Sequence, residues 1–155
     1  MTRCPSGGWP VGERIRMKLR AIIFDDEPTV RQVLREICNR RGYEVFTFPD
    51  VGLCPLADLE HCPCPAGACC ADIVISDVRM PKMNGIDFVA SLLSKGCTRP
   101  HFCLISGSWS AADSARAADL GCKVLAKPFR TSDLVEWLQE VEAQIAPERR
   151  LFDWC

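Results

Sequence analysis

Five short apolar runs, Leu19–Phe24, Tyr43–Phe48, Ile73–Ser76, Phe102–Ile105 and Lys123–Ala126, alternate with stretches that read as helix or loop. Runs of this length bounded by turn signals suit strands buried on both faces. Strands that alternate with helices pair in parallel, and their crossovers cover both faces of the sheet. The expectation is an α/β fold, a doubly wound five-stranded parallel sheet. The run Ile73-Val74-Ile75-Ser76 leads straight into Asp77, then into Met80-Pro81 and Asn84-Gly85. A carboxylate at the end of such a strand sits where open α/β sheets bind ligands. An Asp there also suits a plain helix cap.

The 155 residues are enough for one domain with a full core, and 48% apolar with 25% charged residues is ordinary for a soluble globular chain. A net charge of −1 gives no electrostatic case for direct nucleic-acid or membrane binding. No apolar run approaches the roughly 18 residues of a membrane span. No basic region followed by an apolar core marks a secretory signal. These features point to a cytoplasmic protein. The eleven cysteines are odd in number, and Cys38, Cys97, Cys103 and Cys122 lie singly in or beside regular segments. There they act as small hydrophobes, and the cysteines are read as reduced.

Residues 1–18 lack periodicity and read as a disordered tail, with Met17 an alternative start just before the first strand. The first strand ends in Asp25-Asp26-Glu27-Pro28, three adjacent carboxylates that suit either a hard cation or a helix N-terminus. Pro28 fits the first helical position, and Val30, Val33, Leu34, Ile37 and Cys38 make an apolar stripe that Gly42 ends. Val51–His61 offers a short helix despite Gly52 and Pro55, and residues 61–70 (HCPCPAGACC) read as an irregular loop. Gly85–Lys95 and Ser110–Leu120 are helices closed by Gly96 and Gly121. Asp133 is expected to cap the last helix, with Glu136 completing a capping box and Leu134, Leu138, Val141 and Ile145 on the buried stripe. The domain is expected to span 19–146, followed by a frayed tail at 147–155 with no output domain beyond it.

Parallel strands end along one edge of the sheet. The first carries Asp25 and Asp26, the third Asp77, the fourth Ser106 and the fifth Lys127. This set suits phosphoryl transfer to a carboxylate: Asp77 as nucleophile, Asp25 and Asp26 holding Mg2+, and Lys127 and Ser106 on the phosphoryl oxygens.

At this point the chain resembles the receiver domain of two-component response regulators. The matching strings are Ile23-Phe24-Asp25-Asp26-Glu27-Pro28, Asp77-Val78-Arg79-Met80-Pro81-Lys82-Met83-Asn84-Gly85, Ile105-Ser106-Gly107 and Lys127-Pro128-Phe129, in the family's order and within about Leu19 to Ala146. The resemblance implies a flavodoxin-like sheet of strand order 2-1-3-4-5. It implies a phosphoacceptor that assists its own phosphorylation and dephosphorylation, not an enzyme acting on other molecules. Asp77 would take phosphate from a histidine kinase or a phosphotransfer protein. Asp26, Asp77 and the backbone carbonyl of Arg79 would ligate Mg2+, with Asp25 assisting through water. Ser106 would be the switch hydroxyl, Lys127 the family's lysine, and Lys127–Pro128 a cis bond. Phosphorylation would shift a surface around the fourth helix, fifth strand and last helix, read by a downstream protein target or used for a homodimer.

Two features depart from the family. Val124 stands where many members carry an aromatic residue, and Trp109 reads as a plain surface aromatic near the switch loop. The cysteine segment replaces most of the second helix. Its His61, Cys62, Cys64, Cys69 and Cys70 raise an alternative, a cysteine-based metal or redox sensor on a receiver scaffold. The usual paired C-x-x-C spacing of zinc sites is absent, which favours a plain variable loop. A second alternative is a haloacid-dehalogenase-type phosphatase, suggested by Asp25-Asp26-Glu27-Pro28-Thr29-Val30. There Glu27 replaces the second Asp of that motif, and Asp77 and Met80-Pro81 are left unexplained.

Overall fold

Alternation along the strands sends successive side chains to opposite faces, and each face builds its own core. In the computed structural model, which describes residues 18–54, 59–65, 67–97 and 100–152, β1 (Leu19–Phe24) lies between β2 (Tyr43–Phe48) and β4 (Ile73–Asp77). Beyond β4 come β5 (His101–Ser106) and β6 (Lys123–Ala126), so the sheet order is β2-β1-β4-β5-β6 with every pair parallel. Counting only the strands of this sheet, that is the expected 2-1-3-4-5. Ala21, Ile23, Ile73, Ile75, Cys103 and Ile105 point to one face. They pack there with residues of α1 (Pro28–Arg40) and α4 (Thr131–Gln144), among them Leu34, Leu134 and Leu138. Ile22, Phe24, Val74, Phe102 and Leu104 point to the other face. They meet Ile86, Phe88 and Val89 of α2 (Gly85–Ser94) and Ala117 of α3 (Ala111–Asp119).

Local signals explain most boundaries. Pro28 opens α1, and Gly42, at φ +89°, takes the left-handed turn after it. The Asn84 side chain accepts from the Ile86 amide at 2.7 Å and starts α2, and Ser110 caps α3 by accepting from the Asp113 amide at 3.0 Å. The last helix departs from expectation. It begins at Thr131 with Arg130 at the cap position and no side-chain cap bond. Asp133 therefore lies in the first turn, where its charge suits the positive helix end, and does not cap it.

The cysteine segment and the C-terminus also differ from the reading above. In place of a helix over Val51–His61 there is one 3-10 turn at Val51–Leu53, held by the Asp50 side chain accepting from Gly52; residues 55–58 lie outside the described residues. The segment expected to be wholly irregular contains β3 (Ala68–Cys69). It pairs in parallel with β7 (Arg150–Leu151), so the tail expected to fray is docked as far as Phe152, and residues 153–155 lie outside the described residues. The cause is a buried carboxylate. Asp72, 3% exposed, receives a bidentate Arg149 guanidinium at 2.6 Å on each oxygen, and the Arg20 amide donates to it at 2.9 Å. Arg20, itself 3% exposed, donates to the carbonyls of Cys70 and Phe152 and pairs with Glu44. The expected N-terminal tail, Met17 included, lies outside the described residues, apart from Lys18, which pairs with Glu44 at 3.0 Å. No helix among the described residues is long and apolar enough to cross a membrane. The nine described cysteines are all free, and six of them are buried.

Candidate functional site

Strand register brings the polar residues to one edge. Phe24 lies beside Ser76, Asp77 beside Ile105, and Ser106 beside Ala126. Asp25 and Lys127 follow directly on β1 and β6, so their side chains reach the same crevice as Asp77. Backbone bonds hold the edge in place: Asp25 N–H to Phe48 C=O at 3.2 Å, Val78 N–H to Ile105 C=O at 2.9 Å, and Lys127 N–H to Ser106 C=O at 2.8 Å.

Lys127 is the hub. Its Nζ lies 3.0 Å from Asp77 Oδ2, 3.1 Å from Asp25 Oδ2 and 3.3 Å from Glu27 Oε1. Asp25 is fully buried and Asp77 nearly so. The other Asp77 oxygen, Oδ1, accepts from the Arg79 amide at 3.1 Å, so both carboxylate oxygens are oriented. Asp25 Oδ1 accepts from the Glu27 amide at 2.9 Å, and the Asp25 carbonyl accepts from Arg31 at 2.7 Å. Burial pulls the Lys127 ammonium toward deprotonation, but its hydrogen bond to Asp77 and its ion pair with Asp25 outweigh that and raise its pKa. Burial pushes the Asp25 pKa up. The Glu27 amide and Lys127 counter this in part, and the Asp77 charge adds to it.

The donor set fits a hard dication. One oxygen each from Asp25, Asp26, Glu27 and Asp77 all lie within 4.8 Å of one another, the only such group among the described residues. Asp25 Oδ2 is buried without a directed hydrogen bond, although the Lys127 ammonium lies within ion-pair distance. An oxygen so placed, with one cation facing several carboxylates, leaves negative charge that Mg2+ or Ca2+ would neutralise. Glu27 was grouped with its neighbours in the sequence but not singled out as a site residue; the structure places it in the quartet and on Lys127.

Asp25→Asn should therefore raise the melting temperature of cation-free protein near neutral pH. The raised Asp25 pKa means that ionising this carboxyl costs stability. That cost grows as pH rises above the ordinary value of 3.8 and persists above the folded pKa. The gain of the variant over wild type should fade as pH falls back through that window, and millimolar Mg2+ should stabilise wild type more than Asp25→Asn. Thermal melts at several pH values check this; a variant that melts lower than wild type at neutral pH contradicts it.

Ser106 is buried at the end of β5, but its hydroxyl turns into its own loop. It donates to the Ser108 carbonyl at 3.0 Å and accepts from the Ser108 amide at 3.2 Å. Arg79 stands two residues after Asp77, and its guanidinium pairs with Asp113 at 3.2 Å. The Lys127–Pro128 bond is cis, as the resemblance implied. Trp109 corrects an expectation: it is not a plain surface aromatic. Its ring packs against the second core, as does Val124, and its Nε1–H donates to the Leu125 carbonyl at 3.0 Å.

Gly85 is a further residue whose role was not legible. A Cβ there would lie 2.2 Å from the Asp77 carbonyl oxygen and 3.0 Å from Ser76 Oγ. The Gly85 amide donates to the Val78 carbonyl at 2.9 Å, which keeps the α2 start against the end of β4.

Comparison with known proteins bears on the whole of this region. A family model described as the response regulator receiver domain matches residues 21–139. The transcriptional regulatory protein PdtaR of Mycobacterium tuberculosis is 35% identical over 120 residues, covering 75% of this chain and 53% of that protein. The chemotaxis protein CheY of Thermotoga maritima is 30% identical over 126 residues, covering 81% of this chain and 98% of its own. Among solved structures, the chemotaxis protein CheY4 of Vibrio cholerae superposes with a TM-score of 0.62 at 26% identity, over 80% of this chain and 98% of that one. The chain spans about half the length of several of the curated relatives it matches, from 47% to 53%.

Proposed function

This chain belongs to the response regulator receiver family, and from that premise we propose that it is a phosphoacceptor in which Asp77 is the residue modified. The observation that carries this reading is the convergence of Asp25, Asp26, Glu27 and Asp77 within 4.8 Å, with Lys127 bridging Asp25 and Asp77. An Asp77 carboxylate oxygen attacks the phosphorus of a phosphohistidine on a sensor kinase or phosphotransfer protein. A P–O bond forms, the P–N bond breaks, and the imidazole leaves. Asp25, Asp26, Asp77 and the Arg79 carbonyl would hold Mg2+, with Glu27 beside them. When bound, that ion neutralises charge on the transferring group. Lys127, already 3.0 Å from Asp77 Oδ2, is placed to pair with a phosphoryl oxygen.

Phosphorylation adds about −1.5 to −2 charge and three acceptor oxygens. Ser106, at the end of β5 on the same edge, supplies a hydroxyl of the right type. Its hydroxyl, now on the Ser108 carbonyl, would turn to a phosphoryl oxygen and release the loop. Trp109 connects that loop to β6 through the Leu125 carbonyl, so the shift would reach the face made by α3, β6 and α4. A downstream protein target would read that face, or a second copy would pair through it. On this reading the setting is cytoplasmic, where a kinase domain presents its phosphohistidine.

Mass spectrometry after incubation with acetyl phosphate tests the proposal. Wild type should gain one phosphoryl group with Mg2+ and none with EDTA in its place. Failure to gain it from either acetyl phosphate or a panel of phosphorylated histidine kinases, with Mg2+ bound, would sink the reading.

A further inference from the structure

The acids at the end of β1 can serve a cation only if the chain aims them, and a basic side chain outside the quartet does part of that aiming. Asp25 has both carboxylate oxygens held: Oδ1 accepts from the Glu27 amide at 2.9 Å, and Oδ2 faces the Lys127 ammonium at 3.1 Å. Asp26 differs. It is exposed, and among the described residues no hydrogen bond or ion pair orients its carboxylate. Its direction is therefore set by its own backbone, above all by the peptide unit that joins it to Asp25.

That peptide unit lies just past the sheet. Phe24 is the last residue of β1 in register with both β2 and β4. The Asp25 N–H still reaches the Phe48 carbonyl at 3.2 Å, but the Asp25 carbonyl takes its hydrogen bond from a side chain, Arg31, whose Nη1 donates at 2.7 Å. A bond of this length from a guanidinium is of the stronger, charge-assisted kind. The helix supplies the donor. Arg31 lies in the opening turn of α1, with its amide on the Glu27 carbonyl at 3.1 Å, and helical side chains lean back over the turn before them. Glu27 gives α1 no side-chain cap bond, so Arg31 is what closes the 25–27 loop from the helix side.

We propose that Arg31 is a positioning residue for the dication: by fixing the Asp25–Asp26 peptide it presents the Asp26 carboxylate to the ion site. It touches neither the ion nor the phosphoryl group. The inference rests on the reading of the quartet as a Mg2+ site. Two effects of Arg31 oppose each other. Its charge beside the acids repels a dication, whereas its hydrogen bond holds a ligand ready. The side chain is only partly buried, so solvent and salt screen the repulsion. Loss of a group that orients a metal ligand weakens binding about 10–100-fold. Positioning therefore outweighs repulsion, and the sign of the effect tells the two apart.

The test follows the melting temperature of the full chain as Mg2+ is raised from an EDTA baseline, since an ion that binds only the folded state raises it in proportion to its affinity. Arg31→Ala should need about tenfold more Mg2+ than wild type for the same rise. Arg31→Lys, whose ammonium can donate to the same carbonyl, should recover most of that loss. Arg35→Ala removes the same charge from an exposed position one turn further along α1 and should keep the wild-type dependence. A purely structural role would lower the melting temperature of Arg31→Ala by the same amount at every Mg2+ concentration, and that result would overturn the proposal. So would tighter Mg2+ binding in Arg31→Ala, which would make repulsion the larger effect. A wild type that gains no stability from Mg2+ would remove the ion site and the role of Arg31 together; wild-type binding with an unchanged dependence in Arg31→Ala would remove only the latter.

Discussion

Asp77→Asn should gain no phosphoryl group under conditions in which wild type gains one, while folding almost as stably as wild type. The amide keeps the shape of the side chain, and its oxygen can still accept from the Arg79 amide that now lies 3.1 Å from Asp77 Oδ1. It lacks the anionic carboxylate oxygen that attacks phosphorus. Two electrostatic changes oppose each other. The variant loses the 3.0 Å pair with Lys127, which keeps Asp25 and Glu27 as partners. It also removes the Asp77 charge that raises the Asp25 pKa. The net effect on stability should be within about 1 kcal/mol, a shift of only a few degrees in melting temperature. Phosphoryl gain at the wild-type level in Asp77→Asn would move the acceptor to another carboxylate of the quartet. A collapse in melting temperature would mean that the Asp77–Lys127 pair is structural first.

Gly85→Ala should be the most damaging alanine substitution among the described glycines. Its Cβ would sit 2.2 Å from the Asp77 carbonyl oxygen, 3.0 Å from the Asp77 carbonyl carbon and 3.0 Å from Ser76 Oγ. The tightest of these contacts is with backbone at the buried end of a central strand, which cannot swing aside as a flexible side chain would. Either α2 retreats and breaks the Gly85–Val78 bond, or β4 shifts and carries Asp77 with it. Overpacking of this kind costs about 1–3 kcal/mol and occasionally more. The upper end of that range corresponds to a melting temperature about 10 °C lower for a domain of this size. Phosphorylation should slow as well, since the acceptor is displaced. Gly107→Ala is the control, because a Cβ there meets nothing within 4 Å. Equal melting temperatures for the two variants would show that the α2 start yields more easily than its contacts suggest.

Much of this protein was legible residue by residue. Strand limits at Leu19–Phe24, Tyr43–Phe48 and Lys123–Ala126 coincide with the structure, because short apolar runs between turn signals have few other uses in a chain of this composition. Asp25, Asp26, Asp77 and Lys127 were expected together because parallel strands end on one edge, and they meet there within hydrogen-bond or ligand distance. Ser106 reached the edge too, but its hydroxyl direction was not readable, since a neighbouring carbonyl competes for it. The last helix began earlier than Asp133 and Glu136 suggested, because a capping pattern three residues inside a helix looks the same in sequence as one at its start.

The sequence by itself determined the α/β class, the strand order through its family motifs, and which four strand ends carry the chemistry. These depend on local periodicity and on polar residues at strand ends, both written within a few neighbouring positions. Only the tertiary structure decided that Arg149 and Arg20 meet Asp72 and dock the C-terminal segment, that Trp109 is tied to β6, and that Gly85 must be bare. Each of these is a contact between residues far apart in the chain. A buried charge selects its partner by distance in the folded core, and that distance has no counterpart in local sequence pattern.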